Sequence, residues 1–580
     1  MFESLSRSMF ERTSSRQRRL AERRRSTSLR PMVEGLEDRV VLSTIVWNTA
    51  VAPSGGDWDT DGNWVGNSKP KSGDTAQINL TSAGTVTHLT GVSDSVLNVS
   101  TNALTTLSVD SGTLTLGAAP SQVNGPVTVG FSGTLQLINT TLFGQGTLTV
   151  GGQMKAHTGA ALLLSSTTIN TGATLTVGNF SIGTSATLTF QQYANMFVTV
   201  GSTVGLNGTT SFATGDTVTI ATDFSNRITQ VLVSSSSTGG SLSAVGTTFT
   251  GTGGYTTNLL IGAAGHFTAA SCTFALSELY LDDGSVYGAG DLTGNNFGMP
   301  ILVPYNDVKN LANNARFTDI NINPGTISSG TLALNAIGTN TASLRYVFPA
   351  GFTVATGGTL SVGPNVPVLL SPGQTLTVNG TASFATGDAV TLATDFNNRT
   401  AQILVSSNST GGTLSAVGTT FTGTGGYTTS ISVGAAGHFT AANSTFSLSS
   451  LSLDDSSVYG AGDLTGDNFG MPIYVPYNDV KNLANNAKFT DININAGTIS
   501  SGTLALNLIG INTANLRYVF PNGFTVGTGG TMNVAANVSV LVPFGQALTV
   551  NGTASFATGD TVTLATDFNN RTAQILVSSN

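Results

Sequence analysis

Two acidic loops hold the most concentrated oxygen chemistry in the sequence. Asp282, Asp283, Asp291 and Asn295 lie on one Gly-rich stretch, and Asp454, Asp455, Asp463 and Asp467 hold the same places 172 residues later. Hard oxygen ligands on a flexible loop suit calcium. The spacing matches neither an EF-hand loop nor a Gly-Gly-x-Gly-x-Asp nonapeptide. The other reading is solvated turn acids that cap their own backbone. A second basic candidate recurs three times: Arg227, Arg399 and Arg571 each follow Asp-Phe-(Ser/Asn)-Asn. A polysaccharide lyase needs a basic group beside calcium-binding acids, but an active site is normally one asymmetric constellation. Motifs present in every copy point to scaffold or multivalent binding. His88, His157, His266 and His438 have no metal-ligand spacing, and neither a nucleophile elbow nor a P-loop is present. Calcium is thus the one cofactor the sequence suggests.

The element that positions these residues is a long tandem repeat. Asn207-Gly-Thr-Thr-Ser-Phe-Ala-Thr-Gly-Asp216 returns nearly unchanged at Asn379–Asp388 and again at Asn551–Asp560. Ahead of the first block, residues 81–206 run as short segments such as Thr134-Leu-Gln-Leu137, Thr174-Leu-Thr-Val177 and Thr187-Leu-Thr-Phe190. Their strict apolar/polar alternation is the signal of strands with one buried face. Single Gly, Asn or Ser residues punctuate them, which suits corners rather than crossing loops. The expected fold is all-β: an elongated right-handed parallel β-helix, or β-solenoid, of about 20–25 residues per coil and on the order of 100 Å long. A short helix is expected at Val308 to Ala315 and Val480 to Ala487, and a stacked amide ladder at the Asn-rich strand that follows.

Only 9% of the 580 residues are charged, against 39% hydrophobic; an average protein has about 25% charged. The chain is therefore β-rich and almost uncharged along its length. Residues 1–40 hold ten Arg against six Asp and Glu, so the remainder carries a net −12. No basic groove can be built there, which excludes a nucleic-acid partner. Cys272 is the single cysteine, and its repeat counterpart is Ser444. It reads as a small buried filler. No run approaches the ~18 apolar residues of a membrane-spanning helix.

The segment 45–80 holds all three tryptophans, Trp47, Trp58 and Trp64. Exposed, they would make a glycan platform; buried, they would cap the open end that a stacked β structure must shield. Its pattern, with Gly56-Asp-Trp58, Asn63-Trp64, Pro70 and Gly73-Asp-Thr-Ala-Gln-Ile78, resembles the opening of autotransporter-associated β-strand repeat proteins, which implies the cap. The leader ends in Arg30-Pro-Met-Val-Glu-Gly-Leu-Glu-Asp-Arg-Val-Val-Leu-Ser43. Leu36, Glu37, Arg39, Leu42 and Ser43 resemble the LEPR-XLL-type sorting segment of planctomycete exported proteins, with Asp38 where that type often carries Pro. The resemblance implies an extracellular or cell-surface location, not an activity.

These readings divide the chain into a basic leader (1–44), a Trp-rich cap (45–90), degenerate strand repeats (91–206), two repeat units (207–378 and 379–550) and the start of a third (551–580). The expected role is structural and adhesive, without catalysis. Glycans, cell-surface proteins or a second copy of the rod are the partners it admits. The alternative is an extracellular polysaccharide-active enzyme of the pectate-lyase-like β-helix type.

Overall fold

The computed structural model describes residues 42–578, apart from 226, 235–238, 254–255, 263, 286, 396, 398, 407–410, 426, 435, 455–456 and 458–459. Leu36, Glu37 and Arg39 of the sorting segment and Asp455 of the acidic loop therefore lie outside the described residues. From Thr44 onward the chain forms one unit, a β-solenoid of about 21 turns. Every strand pairs with its neighbours in parallel, and from about residue 174 a strand pairs with the strand three positions later, except around the two 3-10 helices, where Ile301–Val303 and Ile473–Val475 pair with the next strand. Each coil thus has three sides, and three hydrogen-bonded stacks run along the axis.

The alternation in the sequence produces this directly. In Thr174–Val177 the two Thr side chains are half-exposed and Leu175 and Val177 are buried. Successive side chains of a strand point to opposite faces, so one face supplies the core and the other meets solvent. Register then lays like over like. Phe249, Phe274, Phe297 and Phe317 form a ladder with ring centroids 4.9, 5.1 and 5.4 Å apart and interplanar angles of 6, 15 and 19°. The rung spacing of about 4.8 Å falls in the separation at which aromatic rings stack favourably. Phe421, Phe446, Phe469 and Phe489 repeat the ladder in the second copy. Coil length varies from 19 residues, Val303 over Ile322, to 32, Thr210 over Leu242.

The two helices differ from the sequence expectation in type and bounds. They are 3-10 turns at Tyr305–Leu311 and Tyr477–Leu483. Pro304 and Pro476 begin them early, because a ring-fixed φ of −58° already suits a helix start. The amide ladder does not form. Asn321 lies in register between Leu302 and Val347, so no asparagine stacks on another there.

At each helix the solenoid exchanges one stack for another. Thr217–Ala221, Thr248–Thr252, Thr273–Ala275 and Asn296–Phe297 form one stack, which dwindles to single bridges at Ala315 and Thr339. A new stack opens at Gly325–Ile327 and continues through Phe352–Val354, Thr375–Val378 and Ala401–Val405. As a result Ala389–Ala393, the repeat equivalent of Thr217–Ala221, sits in the stack that descends from Thr229–Val233. The second copy does the same, with bridges at Ala487 and Ile511 and a new stack at Thr498–Ile499. The repeat is therefore periodic in sequence but shifts by one stack per copy.

Candidate functional site

The strongest cluster of ionisable groups lies near the N-terminal end. Asp59 follows Trp58, Lys69 stands on the next loop, His88 ends the strand Gly84–His88, and Asp94 lies in Ser93–Val96. Lys69 Nζ donates to Asp59 Oδ1 at 2.7 Å and to Asp94 Oδ2 at 3.0 Å. Thr90 Oγ1 also donates to Asp59. The fully buried His88 faces acceptors from both ring nitrogens: Ser111 O at 2.8 Å from Nδ1 and Asp94 Oδ2 at 3.2 Å from Nε2. Burial pushes the Asp59 carboxyl up, but the Lys69, Thr90 and Asp94 hydrogen bonds and the His88 charge outweigh it and hold it well below the usual range. Burial lowers Lys69, and its bonds to the two carboxylates more than reverse this.

Ligand atoms of Asp59, His88 and Asp94 lie within 4.8 Å of one another, the one such group among the described residues. The Lys69 ammonium already stands between the carboxylates, so the set closes as an ion-pair clasp between the first coils. Sequence reasoning missed it. Its members are 10, 25 and 6 residues apart, a pattern that matches no motif and becomes adjacent only once coil lengths are known.

The three tryptophans are buried in the first coil. All are at most 1% exposed. Trp64 sits edge-on between Trp47 and Trp58, at centroid distances of 5.0 and 4.9 Å. Trp47 Nε1 donates to Ala52 O and Trp64 Nε1 to Trp58 O; Trp58 Nε1 is buried without a partner. The rings fill the first coil, where burying them gains more than facing water.

The described carboxylates of the acidic loops are taken up largely by local hydrogen bonds. Asp282 Oδ1 accepts from Gly284 N at 3.1 Å and Asp283 Oδ1 from Asn323 Nδ2 at 2.8 Å. Asp291 and Asp463 accept from Gly288 N and Gly460 N, both at 2.6 Å, and face His266 and His438. The backbone of Asp454 ties down its own turn through Ser457. Asp467 is fully buried inside the solenoid rather than on the loop surface. Its Oδ1 accepts from Ser444 N at 2.7 Å, and its Oδ2 has no partner. Burial, against the N–H bonds of Ser444 and Thr465, pushes this carboxyl up to about 7.

The repeated arginines close local turns. Arg227, Arg399 and Arg571 pair with Asp223, Asp395 and Asp567 four residues earlier, with more than half of each arginine side chain exposed. The Gly-Asp turns are clamps between coils. Asp216 accepts from Ala194 N and Ala213 N, and Asp388 from Val366 N and Ala385 N. Cys272 is buried, and burial raises its thiol. Among the described residues no helix is long and apolar enough to cross a membrane. No family model matches the chain, and no curated protein matches it.

Proposed function

We propose that the chain is an exported, cell-surface or extracellular β-solenoid with a structural and adhesive role, binding partners without turning them over. One observation carries the reading. Within the repeat units the groups with chemical potential recur in each copy and are spent on holding turns and coils together, as Asp216 and Asp388, or Arg227 and Arg399, illustrate. The resemblance of the leader to the LEPR-XLL-type segment supports export, and the resemblance of the Trp-rich opening to autotransporter-associated repeats supports a surface rod. A fold alone does not choose between adhesin and enzyme, so the rival polysaccharide lyase is tested directly. Purified protein should be retained on cell-wall or polysaccharide material and release no product. Release of unsaturated or reducing sugars, abolished by replacing Arg227 and Arg399 with alanine, would replace this reading with the lyase.

A further inference from the structure

Where the helix Tyr477–Leu483 replaces a strand, it leaves a cleft of about 280 Å³ against the strand Gly502–Leu506. That strand opens a new sheet. It pairs with Gly530–Val534 on one side and has the helix on the other. Leu506 O accepts from Ala535 N on the paired side. Alternate residues of a parallel strand direct their backbone groups to opposite sides, so the N–H and C=O groups of Thr503 and Ala505 face the helix and the cleft. The rest of the lining includes Tyr477, the exposed Lys481 and Asn507. The walls are fixed. Tyr477 packs edge-on against Phe524 at 5.6 Å, and Tyr518 Oη donates to Asn507 O at 2.7 Å.

The first repeat has the same parts: Tyr305 against Phe352 at 5.8 Å, Tyr346 Oη donating to Asn335 O at 2.7 Å, and Gly330–Leu334 paired only toward Gly358–Val362. Lys309, Thr331 and Ala333 stand at the places of Lys481, Thr503 and Ala505.

We infer that this cleft, once per repeat, binds a neutral sugar unit of a glycan chain. The inference rests on the adhesive reading above and names its site. A sugar hydroxyl both donates and accepts, which matches a strand edge offering N–H and C=O side by side, flanked by an amide, a hydroxyl and an ammonium. The volume lies just below the ~300–1,000 Å³ of pockets for drug-sized ligands, room for one ring. A peptide adding as a strand would need a continuous run of this edge, which the helix beside the cleft interrupts. The net −12 of the body disfavours a polyanion, since one lysine per cleft does not reverse that field.

The test is affinity electrophoresis of the whole chain through gels containing dextran, xylan, a neutral β-glucan or polygalacturonate. Retardation is expected in at least one neutral gel, and Ala333→Trp with Ala505→Trp, which fills both clefts, should weaken it about tenfold or more. Lys309→Ala with Lys481→Ala, on exposed positions that do not support the fold, should weaken it severalfold, and serves alone if the tryptophan variant melts early. Retardation unchanged by the lysine pair and by a folded tryptophan pair would overturn the cleft while leaving the adhesive rod standing. Retardation in polygalacturonate alone, or in no gel, would overturn the neutral-sugar assignment. Sugar release in the assay described above would instead remove the adhesive reading itself.

Discussion

Asn295 of the first repeat and Asp467 of the second occupy one place in two nearly identical surroundings, and a single atom separates them. Asn295 Oδ1 accepts from Cys272 N at 2.9 Å, while its Nδ2 donates to Ala269 O at 2.8 Å and Asn314 Oδ1 at 3.0 Å. Asn314 in turn donates to Leu292 O and Leu311 O, tying the 3-10 helix to the coil below. In the second copy Asp467 Oδ1 accepts from Ser444 N, and Asn486 holds Leu464 O and Leu483 O. The carboxylate oxygen that replaces the amide nitrogen has nothing to accept from. Its repeat-equivalent surroundings, Ala441 O and Asn486 Oδ1, are acceptors. Only a protonated Asp467 can donate as Asn295 does. The comparison teaches that a buried donor-to-acceptor swap makes one copy sensitive to pH.

The largest test removes what the copies share. Phe274→Ala and Phe446→Ala each take one ring from a stacked ladder and should each cost about 3–5 kcal/mol of local stability. Native-state hydrogen exchange of the flanking strands measures this copy by copy. A marked difference between the two would show that the ladders are not equivalent. Next, Asn295→Asp should bring the second copy's defect into the first. It should lose about 1–3 kcal/mol at pH 8 and recover much of that in acid, read by the same exchange protection. An equal loss at pH 5 and pH 8 would mean shape, not charge, sets the cost.

The reverse change, Asp467→Asn, should stabilise the second copy by a smaller amount, because wild type can relieve its defect by taking up a proton. The sign follows from a carboxyl raised from 3.8 to about 7. Below pH 3.8 both folded and unfolded forms are protonated, and the full contribution is present. Between there and about 7 the unfolded chain gives up its proton first, so wild-type stability falls as pH rises. The advantage of the asparagine variant should therefore grow across that window and level off above it. A melting-temperature difference independent of pH would reject the protonated carboxyl. The smallest effect is expected at the surface: Arg399→Ala and Arg227→Ala break exposed turn pairs, and thermal melting should not change measurably in either.

Much of the fold is legible in the residues themselves. Thr174-Leu-Thr-Val177 shows its inward and outward faces because pleating is local, and the 172-residue spacing announces stacking of like units. The candidate sites were less legible. Trp47, Trp58 and Trp64 read as a cap rather than a platform, but only the fold shows what closes over the rings, since a ring's exposure depends on what folds over it. Asp467 looked like a loop ligand because its neighbours are Gly, Asn and Asp, yet its side chain turns inward beneath Asn486.

The sequence by itself determined the β class, the strand positions and the repeat. Each follows from side-chain alternation and turn residues over a few positions, where geometry is fixed by the chain's own bonds. Only the tertiary structure decided which residues one coil apart meet: the Asp59–Lys69–His88–Asp94 clasp, the unsatisfied oxygen of Asp467, and the stack exchanged at each helix. Coils range from 19 to 32 residues, so a contact along the axis cannot be counted from a period. It is set by how much chain each corner takes up, and that is settled by packing.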